Sequence, residues 1–330
     1  MSDLLSELLN QKEIIMADGA MGTNLFDLGL ANGAAGERWC VEQPDRVRSV
    51  HQRFVEAGAD IILTNSFGAN RYRFKLHRIE DRVREINIAA AKVARAVADA
   101  AERPVVVAGS IGPTGDILEP LGERTQREAE DAFAQQAEAL KEGGVDIAWI
   151  ETMFAHDELA AAVKGVHRAG LPYVATMTFD MGGRTMMGLK PHDAIEPTKD
   201  FESRPIAFGA NCGVGPAQLL DSIIGLGRGA RDDTVIVAKS NCGIPQVGDD
   251  GNIVYSGTPQ IMADFACLVR DAGARIIGGC CGTTPVHLRA MVEALRVRPK
   301  GPLPSYENIE RLLGPLKITT EVEKALPQKA

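Results

Sequence analysis

The chain has 330 residues, 45% of them hydrophobic, and a formal net charge of −8. That is enough apolar material for a substantial core, and the acidic balance disfavours nucleic acid or an anionic membrane surface as a partner. No basic segment followed by a long apolar run opens the chain, and no run of about 18 apolar residues occurs in it, so neither a secretory leader nor a transmembrane helix is expected.

Short β-branched apolar runs recur in chain order: Ile14–Ala17, Asp60–Thr64, Val105–Ala108, Ile147–Ile150, Tyr173–Met177, Ile206–Ala210, Val235–Ala238 and Arg275–Ile277. Each is apolar on both faces, as strands buried in a parallel sheet are. Helical segments lie between them: Pro44–Ala57, Val83–Ala101, Thr125–Glu142, His156–Ala169, Pro216–Leu226, Thr258–Ala272 and Pro285–Arg296, with a weaker pattern over Lys190–Lys199. Proline at first turns and glycine just past Ala57 and Ala169 fit helix starts and stops. Eight strands alternating with helices predict an α/β fold, a (β/α)8 TIM barrel, over residues 1–297. Residues 298–330 turn Pro-rich, then amphipathic, then polar, and read as a C-terminal extension. It is either an arm for homo-oligomer formation or a plain tail. The turn after the first strand, DGAMG, is not a dinucleotide fingerprint.

The six cysteines suit a reducing, cytoplasmic setting, where clustered cysteines mean metal or catalysis more often than disulfides. Cys212 lies in GANCGVGP after the sixth strand, and Cys280 and Cys281 lie in IIGGCCGTTP after the eighth. The C-terminal ends of barrel strands surround one mouth, so these three can converge. Adjacent cysteines can also be inert core residues or a vicinal disulfide. Two Gly-flanked motifs at two strand ends favour metal. Three thiolates suit Zn2+ and leave its fourth position open, which marks a catalytic rather than a structural site. With three thiolates against Zn2+ the site carries −1, which suits activating a substrate thiolate better than activating water. Cys40 and Cys267 read as buried residues; Cys242, in KSNCGIP, is left open.

Other polar residues fall at the same strand ends: Asp18, Thr64, Asn65, Glu151, Lys239 and Asn241. Carboxylates in a barrel mouth usually have a partner or a task. Two of them can take an amino group while backbone N–H groups hold a carboxylate, which fits a zwitterionic amino acid. The six histidines form no HxH or HExxH pattern, and His51, His156, His167 and His287 are expected on helix surfaces.

The stretches DGAMGTNL, GADIILTNSFGANRYR, GSIGPTGDILEPLGE, GANCGVGP and GGCCGTTP resemble the zinc-dependent homocysteine S-methyltransferases. That family includes betaine–homocysteine methyltransferase and the homocysteine-binding module of cobalamin-dependent methionine synthase. The resemblance spans residues 14–297 and implies a TIM barrel with zinc on Cys212, Cys280 and Cys281. It implies homocysteine as substrate and methionine as product, Asp18 and Glu151 on the substrate amino group, and Asn241 near the metal; Thr64, from its place at the end of the second strand, is expected at the substrate as well. The methyl donor is a separate question. A quaternary ammonium or sulfonium donor needs an aromatic cage, yet the places the betaine enzymes fill with aromatics read Gly68 and Thr152, leaving only Trp39. The reading favoured is a module that meets a separate methyl-corrinoid protein, with a betaine- or sulfonium-dependent enzyme as the alternative. Two other classes stay open: a barrel lyase using Lys239 as a Schiff-base lysine, and a non-catalytic zinc or thiol sensor.

Overall fold

The computed structural model describes residues 3–180, 182–195, 198, 201, 203–247 and 253–316. Eight parallel strands form one sheet: β1 (Ile15–Met16), β2 (Ile61–Leu63), β3 (Val106–Ile111), β4 (Ile147–Met153), β5 (Tyr173–Met177), β6 (Ala207–Cys212), β7 (Ile236–Ser240) and β10 (Ala274–Gly279). Its order is β1-β10-β7-β6-β5-β4-β3-β2. The first and second strands meet through a parallel bridge between Ala17 and Ile61, which brings the sheet round into a barrel. Two backbone bonds seal that seam, Asp60 N–H to Met16 O at 2.6 Å and Asp18 N–H to Ile61 O at 3.0 Å. The remaining pair, β8 (Pro245–Val247) and β9 (Ile253–Tyr255), is an antiparallel hairpin inserted after β7.

Thirteen α-helices are described: α1 (Leu4–Gln11), α2 (Met21–Phe26), α3 (Trp39–Glu42), α4 (Pro44–Ala57), α5 (Arg71–Lys75), α6 (Val83–Asp99), α7 (Gln126–Gly143), α8 (His156–Ala169), α9 (Pro191–Ala194), α10 (Pro216–Gly229), α11 (Pro259–Asp271), α12 (Pro285–Val297) and α13 (Tyr306–Leu313). Local chemistry sets their ends. α4, α10, α11 and α12 begin with proline, whose missing N–H costs nothing in a first turn. Thr125 and Glu128 form a capping box on α7. Gly58 and Gly170, at φ 111° and 66°, stop α4 and α8 where the sequence placed the stops. The Lys190–Lys199 pattern yields only the single turn of α9, and residues 196, 197 and 199 of it lie outside the described residues.

Strand periodicity sorts the core into two layers. Met16, Ile62, Val107, Ala148, Ile150, Ala175, Phe208, Ala238 and Ile277 face the helices. Ile15, Ala17, Ile61, Leu63, Val106, Ala108, Ile147, Trp149, Val174, Ala207, Val237 and Ile276 fill the barrel interior, and Leu5, Leu8 and Leu9 of α1 close its N-terminal end. After α12 the chain does not leave the barrel. Arg270 holds the Arg298 and Pro299 carbonyls at 2.7 Å each. Beyond them α13 buries Ile309 and Leu313, and its Tyr306 hydroxyl bonds Asp221 of α10 at 3.0 Å. Residues 317–330 of the expected extension lie outside the described residues.

Candidate functional site

The inward face that is apolar in the lower barrel becomes polar at its C-terminal end. On the same inward register, two residues beyond an apolar position, stand Ser110 on β3, Glu151 on β4, Thr176 on β5 and Lys239 on β7, with Asn211 on β6 four beyond Ala207. All five are buried, and Asp18 joins them from the turn after β1. Polar side chains at this depth need partners, and each has one. Lys239 Nζ donates to Asp18 Oδ1 at 2.8 Å, and Leu63 N–H to Asp18 Oδ2 at 2.7 Å. Ser110 Oγ donates to Glu151 Oε1 at 2.5 Å. Burial pushes both carboxyls above their ordinary values, and Lys239 works against that shift. For Lys239 burial acts downward, but Asp18 and Glu151 outweigh it and hold the ammonium above the usual lysine value. A Schiff-base lysine must present a neutral amine; this one is a paired cation lying 5.4 Å from the centre of the Trp149 ring.

Above this layer, Cys212, Cys280 and Cys281 bring their sulfurs within 4.8 Å of one another. Cys212 sits at φ 63°, the left-handed region that costs a non-glycine residue roughly 1–3 kcal/mol. Asn241 ties the two cysteine turns together: its Nδ2 donates to Gly213 O at 2.7 Å and its Oδ1 accepts from Cys281 N–H at 3.1 Å. The thiols press on one another. Cys280 beside it pushes the Cys212 thiol up to about 12, and Cys212 does the same to Cys281, also to about 12. Cys280 is lowered by its bond with Cys212 but raised further by Cys281 and burial, and ends well above the ordinary thiol value. Tetrahedral Zn2+ with sulfur at about 2.3 Å places its ligands about 3.8 Å apart, and these three sulfurs lie within 4.8 Å of one another, so the donor set fits that ion in number and softness.

Cys242 does not join the trio. It is buried, donates its S–H to Gly257 O at 3.4 Å, and burial pushes it up to about 11. Cys40 is likewise buried, donating to Asn65 O at 3.4 Å. Thr64 is buried, with its hydroxyl bonded to Ser66 Oγ at 2.6 Å and accepting from Ser110 N–H at 3.0 Å, so within the protein it braces β2 against β3.

Three residues that sequence reasoning passed over help build the site. Asn211 donates to Thr152 Oγ1 at 2.8 Å, accepts from Thr152 N–H at 2.8 Å and from Thr176 Oγ1 at 2.7 Å, and reaches Cys280 Sγ at 3.8 Å. It thereby holds Thr152, at φ 63°, beside an irregularity of β4 that aims Glu151. The signal was present: Asn211 immediately precedes Cys212 on an inward-facing strand position. Ser110 has the same register. Tyr255, at the end of β9, acts on the Cys281 thiol and lowers its pKa, while its ring covers Gly282 so closely that a Cβ there would lie 2.4 Å from the ring. The histidine expectation fails at His51, which is fully buried on α4, without a hydrogen-bond partner at either ring nitrogen. Burial lowers its pKa to about 4.

The comparisons with known proteins agree with this geometry. The family model for homocysteine S-methyltransferase matches residues 15–295. Methionine synthase of Mycobacterium leprae is 32% identical over 322 residues, covering 93% of this chain and 26% of that protein. The Mycobacterium tuberculosis methionine synthase is 33% identical over 311 residues, 89% of this chain and 25% of that one. The chain thus spans about a quarter of the length of these relatives. Among solved structures, the metallated form of the homocysteine methyltransferase MmuM from Escherichia coli superposes with a TM-score of 0.73 at 23% identity, over 87% of this chain and 98% of that one, and shows the same TIM-barrel fold. With the family model spanning the barrel from β1 into α12, the chain belongs to the homocysteine S-methyltransferase family.

Proposed function

We propose that this member of the family methylates the sulfur of homocysteine to give methionine, with Cys212, Cys280 and Cys281 holding Zn2+ and Asp18 and Glu151 receiving the substrate amino group. The observation that carries the reading is the stacking of two chemistries at one mouth: three facing thiols directly above two buried carboxylates. A zinc ion bound there would keep a substrate sulfur ionised at neutral pH while its three thiolate donors leave that sulfur electron-rich. The chain's own residues do the rest. Asp18 and Glu151 fix the amino end of the substrate, Asn241 keeps the two cysteine turns in register, and Asn211 holds the strained Thr152 so that Glu151 faces inward. The Tyr255 ring packs on Gly282, next to Cys281. We assign residues 1–297 to this barrel unit and 298–330 to an extension that begins by docking on it, and we place the protein in the cytoplasm, where six unpaired cysteines stay reduced.

For the methyl donor we infer a separate methyl-corrinoid protein. Among the described residues the mouth offers no aromatic cage for a quaternary ammonium or sulfonium cation. Gly68 is bonded to Glu37 at 2.8 Å, Thr152 is held by Asn211, and the ring of Trp39 already faces the Arg46 guanidinium at 4.9 Å. A donor panel with homocysteine tests both halves, comparing betaine, a dimethylsulfonium compound, S-methylmethionine, methyltetrahydrofolate and a methylated corrinoid protein, with methionine as the readout. Methionine is expected with the corrinoid protein. Ordinary enzymatic turnover with free betaine overturns the donor assignment, and no methionine from any donor overturns the acceptor assignment.

A further inference from the structure

Two buried carboxylates would overcharge a pocket meant for one ammonium group. Asp18 and Glu151 are 2% and 8% exposed, and each is pushed towards its neutral form by burial. Left to themselves, carboxyl groups in so dry a site hold a proton more tightly. The substrate's ammonium would then have to displace that proton to make both contacts.

Lys239 changes the count. Its side chain is 2% exposed, its ammonium lies 2.8 Å from Asp18 Oδ1, and it leans over the Trp149 ring. It is held there by the barrel itself: Lys239 pairs in register with Asn211 on β6 and Gly278 on β10, and follows the inward Val237 by two residues. The charged and titratable groups that act on it are Asp18 from the turn after β1, Glu151 from β4 and Cys280 from the turn after β10. Asp18 keeps its second oxygen on Leu63 N–H. Among the described residues no hydrogen bond reaches Glu151 Oε2, whose partner oxygen takes Ser110. The inward layer therefore sets one ammonium group among two buried carboxyl groups before any ligand arrives.

We propose that Lys239 is a positioning residue that sets the charge of this layer: it keeps Asp18 and Glu151 ionised so that the site accepts one α-ammonium group without exchanging a proton. The proposal rests on the reading of Asp18 and Glu151 as the amino-group site. It makes the pocket selective for a zwitterionic amino acid with a single cationic centre.

The test is calorimetric titration of the zinc-loaded protein with methionine, which carries the amino group but no titrating thiol, in two buffers of different ionisation enthalpy. The wild type is expected to bind with no net proton release and with an affinity that does not change with pH through the neutral range. Lys239→Met is expected to release close to one proton, so its affinity falls about tenfold for each unit of pH below the carboxyl pKa. Circular dichroism and zinc content report whether the variant is folded. Proton release by the wild type overturns the proposal, with or without a usable variant, and so does a folded Lys239→Met that matches the wild type in proton count. Failure of the wild type to bind methionine at all strikes instead at the amino-group site on which the proposal stands.

Discussion

The two ends of this barrel use the same inward strand positions for opposite purposes. At the N-terminal end those positions are Ile15, Ile61, Val106, Ile147 and Val174, sealed by Leu5, Leu8 and Leu9 of α1. Charges there stay at the edge: Asp60 holds Lys12 at 2.7 Å, Arg103 at 3.2 Å and the Met16 N–H at 3.0 Å. At the C-terminal end the same register carries Ser110, Glu151, Thr176, Asn211 and Lys239, all buried, with left-handed backbone at Thr152 and Cys212. The lower end is what a stability argument would build. The upper end concentrates buried charge, strain and free thiols, each of which costs stability and so calls for a task.

Substitutions at the two ends should separate these roles. The largest effect is expected from Cys280→Ser, which removes one of three sulfurs: metal content should fall to near zero and methyl transfer with it, while the denaturation midpoint of the apo form moves little. At the other end, Leu8→Ala opens a cavity under the barrel. It should cost about 2–5 kcal/mol in urea unfolding and leave metal stoichiometry untouched. A Leu8→Ala protein that loses metal, or an apo Cys280→Ser protein that unfolds, would break the division of labour.

Much of this architecture was legible in the sequence because parallel barrel strands are buried on both faces and their β-branched runs stand out. All eight runs became strands, and the helix limits of α4 and α8 were read to the residue, since proline and glycine mark them. The hairpin of β8 and β9 was not read. It is short and partly exposed, so it carries neither a long apolar run nor a strict alternation. The three cysteines and both carboxylates were picked out by their places at the C-terminal ends of the expected strands, and the structure brings the three sulfurs together there. Asn211 and Ser110 were not picked out, although counting by two from Ala207 and Val106 reaches them. His51 was misplaced for a related reason. It lies four residues after Val47 and three before Phe54, on the apolar stripe of α4, and polarity was allowed to outweigh spacing.

That histidine gives a prediction of its own. Its folded pKa of about 4 lies below the ordinary 6.5, so the unfolded chain takes up a proton first as pH falls. The stability conferred by neutral His51 is complete above pH 6.5 and is lost progressively towards pH 4. The loss amounts to about 3 kcal/mol at the acid end. Urea midpoints for the wild type should fall across that window more steeply than for His51→Leu; parallel curves would count against it. The smallest effect expected is Asn241→Ala, which leaves three sulfurs but unties their turns. Metal affinity measured by competition with a chelator should weaken by roughly 10–100-fold, as for other groups that orient ligands. Unchanged affinity would mean the turns hold their positions without it.

The most direct measurement is the metal content and zinc X-ray absorption of the wild-type protein, purified reduced and without chelator. The expected result is about one zinc per chain with three sulfur neighbours, rising to four when homocysteine is added. Protein that holds no zinc and cannot take it up would contradict the three-thiol site outright, and a sulfur count unmoved by homocysteine would contradict its role in binding the substrate.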